Sequence, residues 1–175
     1  MPKIIADLEN KIIEEAKKQL FENGYTKMTM RSVSDACGIA VGTVYNYYNS
    51  KDMLVADIML VDWVQIISEV KKLCLGAKDI HEAFKYLYDG VVKFSDKYCS
   101  VWEQYGKNIS VRQNMPDRFE ILVNQLSDIL GEVLVRCHDE KDPYMSVFLA
   151  EVIINAATNR DLDYSNISRV LHRIY

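Results

Sequence analysis

The chain has 175 residues, 49% of them hydrophobic and 26% charged, which is globular composition with material for a core in one domain or two small ones. Seven glycines and three prolines exclude collagen-like, linker-like and turn-rich all-β readings, and a net charge of −4 argues mildly against a nucleic-acid binder. Cys37, Cys74, Cys99 and Cys137 lie far apart with no metal-ligand or redox spacing, so reduced thiols in a cytoplasmic protein are expected. The opening MPKIIADLEN has no apolar signal core, and Met53 to Ile67 is broken by Asp57, Asp62 and Gln65, so no membrane segment is expected.

In chain order, apolar residues recurring every three or four positions predict helices at 4–22, 30–37, 41–48, 51–74, 79–97, 99–107, 117–137, 142–159 and 164–175. No segment alternates strictly, so the fold class is all-α. Starts are marked by Ser50 before Lys51-Asp52, by Asp79 with Glu82, by Pro116-Asp117 and by Asp142-Pro143. The first three helices are short, and the fourth is apolar nearly all round from Met53 to Ile67, so it should be covered on more than one side. That helix reads as a hinge between a three-helix domain, 1–51, and a larger helical domain, 52–175.

Residues 29–48, TMRSVSDACGIAVGTVYNYY, carry the functional signal. Val33, Ala36 and Cys37 should turn inward on one helix, and Gly38 permits the tight turn that ends it. In the next helix Val41, Val44 and Tyr48 share an inward face, leaving Gly42, Thr43, Tyr45, Asn46 and Tyr47 outside. Gly42 admits close backbone approach, Thr43 and Tyr47 suit phosphate or a thymine methyl, and Asn46 suits a base edge. This is helix-turn-helix geometry with the second helix as reader. Thr29 and Arg31 stand at one helix N-terminus and Lys51 at the next, where free N–H groups favour phosphate. Locally Lys27, Arg31 and Lys51 outnumber Asp35, a basic island on an acidic chain.

The series Ile12-Ile13-x-x-Ala16, Gly24-Tyr25, Met28-Thr29-Met30-Arg31 and Gly38 through Tyr48, then Ser50-Lys51, resembles the N-terminal signature of tetracycline-repressor (TetR) family regulators over roughly the first 55 residues. The remainder resembles the family only in being helical. The resemblance implies a homodimer that sets helix 41–48 of each subunit in a major groove of a double-stranded DNA operator. It also implies DNA contacts, mostly to phosphate, from Thr29, Arg31, Thr43, Tyr45, Tyr47 and Lys51. Three positions depart from the pattern: Ala40 replaces a serine cap, Gln19 a leucine and Cys37 an alanine.

In the second domain Trp63, Tyr86, Phe94, Trp102 and Tyr105 either line a cavity for an unknown small-molecule effector or form core. Asn155, interrupting an apolar run, either orients a ligand or fixes the register of a dimer seam. Helices 142–159 and 164–175 are expected to form the homodimer contact, with helix 117–137 and its Gly131 as the rival. His81, His138 and His172 are scattered along the sequence, and Cys137-His138-Asp139-Glu140 lacks the geometry to close on one metal ion. No catalytic motif, metal site or cofactor motif is present in the sequence. The function expected is a ligand-responsive repressor in which the effector moves helix 51–74, or an activator of the same family. The competing readings are an all-helical small-molecule-binding protein or enzyme without DNA affinity, and a protein-interaction adaptor.

Overall fold

The computed structural model describes residues 7–105, 109–138, 142–159 and 163–175, with side chains except those of 105 and 109–119. They form α1 (Leu8–Asn23), α2 (Met30–Cys37), α3 (Val41–Tyr47), α4 (Lys51–Gly76), α5 (Ile80–Tyr105), α6 (Ile109–His138), α7 (Pro143–Thr158) and α8 (Tyr164–Ile174), with no strand among the described residues. The chain divides into two compact units, one of residues 1–62 and 99–111, the other of 63–98 and 112–175. The division therefore falls within α4, within α5 and near the start of α6.

Two predicted boundaries are corrected. Helices expected at 79–97 and 99–107 are one helix, α5, because no glycine or proline interrupts the chain near Tyr98. Tyr98 and Val101 are both buried and continue its apolar stripe. The helix expected from 117 begins at Ile109, so Pro116 lies inside α6 rather than at its first turn. A proline there removes one backbone hydrogen bond without ending the helix.

The first unit is built on α1, which buries Ile12, Ile13, Ala16 and Leu20 and ends at Gly24. Gly24 has φ +81°, a left-handed backbone that side chains with a Cβ rarely adopt. In the same unit Asp62 of α4, 3% exposed, receives the ammonium of Lys17 from α1. Asp52 likewise accepts the hydroxyl of buried Tyr25.

In the second unit α4 presents Trp63, Ile66 and Val70 inward, and α5 presents Phe84, Leu87, Val91, Phe94 and Tyr98. Gly90 lets these helices meet closely: a Cβ there would stand 2.7 Å from Val70 Cγ2. Asp79 accepts the Glu82 N–H at 2.9 Å, and Glu82 reaches back to the Lys78 N–H at 2.8 Å, closing the start of α5. Asp142 caps α7 through the Tyr144 N–H, with Pro143 at the first helical position. Arg136 of α6 donates to the carbonyls of Cys74, Leu75 and Ala77, covering the C-terminal end of α4.

The expectation that α4 is covered on several sides is also corrected. Leu54, Val55, Ala56, Ile58, Met59, Asp62, Trp63, Ile66 and Val70 are buried around more than half of the helix, and the correction is confined to the remaining arc, where Leu60, Val61 and Val64 are 45–48% exposed. No described helix is long and apolar enough to cross a membrane.

Candidate nucleic-acid interface

The candidate surface begins with how α2 is held. Thr29 and Ser32 form a reciprocal capping box: Thr29 Oγ1 accepts from the Ser32 N–H at 3.0 Å, and Ser32 Oγ accepts from the Thr29 N–H at 3.0 Å. Gln19 of α1 braces it, accepting from the Ser32 hydroxyl at 2.7 Å and donating to the Ser32 carbonyl at 3.2 Å. The departure at position 19 thus has a structural use that no local sequence signal announced. Met30 and Val33 are buried, and Arg31 is exposed, with no ion pair among the described residues.

Gly38, at φ +71°, ends α2 and turns the chain into α3. At the same helix end Lys11 donates to the Cys37 carbonyl at 2.9 Å. The Cys37 thiol is buried, and that burial pushes its pKa up, which suits a packing group better than a reactive thiolate.

Only Val44 of α3 is fully buried, and Tyr48, which closes the helix, is 3% exposed. Tyr45 is 47% and Tyr47 38% exposed, Gly42 and Asn46 face solvent, and Thr43 is half-buried. Two inward assignments fail. Val41 is 40% exposed because α3 packs through Val44, and Ala36 is exposed because α2 packs through the arc of Met30, Val33, Ser34 and Cys37. The Tyr48 hydroxyl is buried and lacks a hydrogen-bond partner of good geometry. Burial above all, with the carboxylates of Asp57 and Glu9, raises its pKa well above the usual phenol value. Ala40 supplies no side-chain cap to α3.

Lys51 begins α4 as expected, but its side chain turns back onto the loop before α2. Its ammonium donates to the carbonyls of Tyr25 at 2.8 Å and Met28 at 3.2 Å and lies 3.9 Å from the Tyr25 ring centroid. Desolvation lowers its pKa. Two of its three N–H groups are thus engaged in fixing the loop before α2, leaving one for another acceptor.

Residues 12–58 match the family described as bacterial regulatory proteins, tetR family. That N-terminal segment is therefore of the tetR-family type. The Bacillus subtilis HTH-type regulator YvdT, uncharacterized, is 21% identical over 162 residues, covering 91% of this chain and 83% of YvdT. Escherichia coli UidR, another HTH-type transcriptional regulator, is 27% identical over 62 residues, 35% of this chain and 32% of UidR. Among solved structures, the TetR-family repressor AlkX of Dietzia is similar with TM-score 0.63 at 15% identity, covering 95% of this chain and 91% of that one. FadR of Bacillus subtilis in complex with stearoyl-CoA gives TM-score 0.59 at 18% identity, covering 94% and 96%. At those identities the structures establish a shared fold.

Of the six residues suggested for an effector pocket, the structure brings Trp63 and Phe94 together, edge to face at 5.2 Å. The Trp63 indole N–H donates to Gln125, and Phe94 continues onto Tyr98 at 5.1 Å. Tyr86 is half-buried and donates to Glu82 at 3.1 Å, while Asn155 is exposed on α7. Trp102 belongs to the first unit, and the side chain of Tyr105 lies outside the described set. A cleft of about 310 Å³ between α6 and α7, lined by Asp128, Gly131, Leu134, Pro143 and Val147 among others, contains none of the six. Among the described residues no group of three or more His, Cys, Asp or Glu is placed to hold a metal ion.

Proposed function

We propose that this regulator is a cytoplasmic homodimer that represses transcription by binding a palindromic double-stranded operator and leaves it when a small-molecule effector binds. The observation that carries the reading is the outward face of α3, where Gly42, Tyr45, Asn46 and Tyr47 stand free on a helix anchored by Val44 and Tyr48. Such a face approaches a major groove closely and offers an amide and two phenols. Thr29, Arg31, Thr43 and Lys51 flank it as phosphate or positioning groups. In this reading residues 1–51 act as the DNA-binding domain and 52–175 as the effector and dimerisation domain.

The dimer is assigned to α7 and α8, where Tyr144, Phe148, Val170 and Ile174 are exposed apolar groups at helical spacing, with Asn155 on the same arc of α7 as Tyr144 and Phe148. The effector is assigned to the second unit, near the Trp63–Phe94 pair. The FadR neighbour holds stearoyl-CoA, so a long-chain acyl-CoA is the first compound to try. An effector shifts the regulator only if it binds the DNA-competent and DNA-incompetent states differently.

Selection of bound duplexes from a random library at fixed, near-physiological salt tests the reading. Recovery of a palindromic site that stearoyl-CoA or another ligand dissociates is the expected result. Sequence-blind binding by a monomer overturns it. An activator on the same site is distinguished by transcription in vitro with and without the protein.

A further inference from the structure

The three histidines, dispersed in sequence, converge in the second unit. His81 lies in the first turn of α5, His138 ends α6 and His172 lies in the last turn of α8. The rings of His81 and His172 stack with centroids 3.9 Å apart at 30°, and His138 packs on Tyr175 at 4.6 Å. This chain has no other histidine.

We propose that the docking of α8 is a proton-sensitive latch, closed by the stack of neutral His81 on His172 and opened when both imidazoles are charged. The latch matters because α8 has little else to hold it: of its eleven residues only Ile167 and Leu171 are buried. Its other attachments cluster beside the stack. The Tyr164 hydroxyl donates to the His81 carbonyl at 3.3 Å, and the Tyr164 ring meets Tyr88 at 5.2 Å.

His81 is poorly placed to hold a charge. Its Nδ1 is buried without a hydrogen-bond partner, so a proton added there finds no acceptor. It also stands at a helix N-terminus, whose dipole opposes a cation. The charged groups acting on His81 are Asp79 from its own helix, which favours protonation, and His172 from α8 and His138 from α6, which oppose it. Desolvation comes first, and the net effect holds its pKa below the ordinary value. A histidine depressed in this way contributes fully to docking above about pH 6.5, and that contribution fades as pH falls.

Hydrogen exchange of the full chain at pH 7 and pH 5, corrected for intrinsic rates, reads the latch directly. Protection of the α8 amides is expected to fall at least about threefold at pH 5 while that of α1 is retained. His81→Phe and His172→Phe each keep an aromatic ring in the stack without its proton and should flatten the dependence; either suffices if the other does not fold. In the NMR titration, His81 should titrate below the ordinary imidazole value. PH-independent α8 protection in the wild-type chain overturns the proposal, as does an unchanged fall in both variants. The latch does not rest on the dimer assignment. Mass measured at both pH values separates them, since opening of α8 without dissociation refutes α8 as a dimer helix and leaves the latch standing.

Discussion

Buried polar side chains in the first unit differ in what removing them should do. Asp62 is almost fully enclosed and is met by Lys17. Lys17→Met removes that cation from a buried carboxylate, and destabilisation by about 1–3 kcal/mol is expected in urea unfolding. Adding Asp62→Leu should recover much of that loss, the coupling a double-mutant cycle measures. Tyr48 is the opposite case. Its hydroxyl is buried without a good partner, so Tyr48→Phe is expected to leave stability unchanged or raise it by about 1 kcal/mol in the same assay. Sequence patterning placed Val41, Val44 and Tyr48 on the inward face of α3, and of these Val44 and Tyr48 are its anchors. It could not disclose that Lys51 turns onto the Tyr25 and Met28 carbonyls or that Gln19 braces Ser32, because those partners are 26, 23 and 13 residues away.

Helices are held by what stands at their ends and where they touch. α2 has a complete capping box whereas α3 begins at Ala40 with none, so Ala40→Ser is expected to raise the denaturation midpoint, a gain of about 0.5–1 kcal/mol. Between α4 and α5 the limit is space. Gly90→Ala would drive a methyl to 2.7 Å from Val70 and should destabilise by about 1–3 kcal/mol, with rescue by Val70→Ala in thermal unfolding. Most helices were legible because their apolar period is unbroken and their starts carry capping residues. The misread starts came from treating Pro116 as a beginning and Tyr98 as an end. A proline is compatible with the first turn of a helix or with a kink inside one, and local sequence does not separate the two.

At the scale of the whole molecule the interest lies in assembly and in the charge that meets DNA. If α7 forms the dimer, Phe148→Asp, at a position 53% exposed in the single chain, should yield a monomer by light scattering with at least about tenfold weaker operator binding. Arg31→Gln should weaken binding to specific and random duplexes alike and lower the salt slope by about one, as expected for one lost phosphate contact. The segment of residues 12–58 was legible because its signature is compressed into one stretch. The larger domain was not, since a helical core needs only apolar residues at the right period, and many arrangements satisfy that.

The brevity of α3 carries a further consequence. Two turns of helix are too few to nucleate alone, so the reading surface has no existence apart from the helices that support Val44 and Tyr48. Because stability resides in those two side chains, Tyr45, Asn46 and Tyr47 are free to vary. If α3 is the reader proposed above, such a regulator can change its DNA address by substitutions that leave its melting temperature nearly untouched, and its lineage can acquire new operators without first acquiring spare stability.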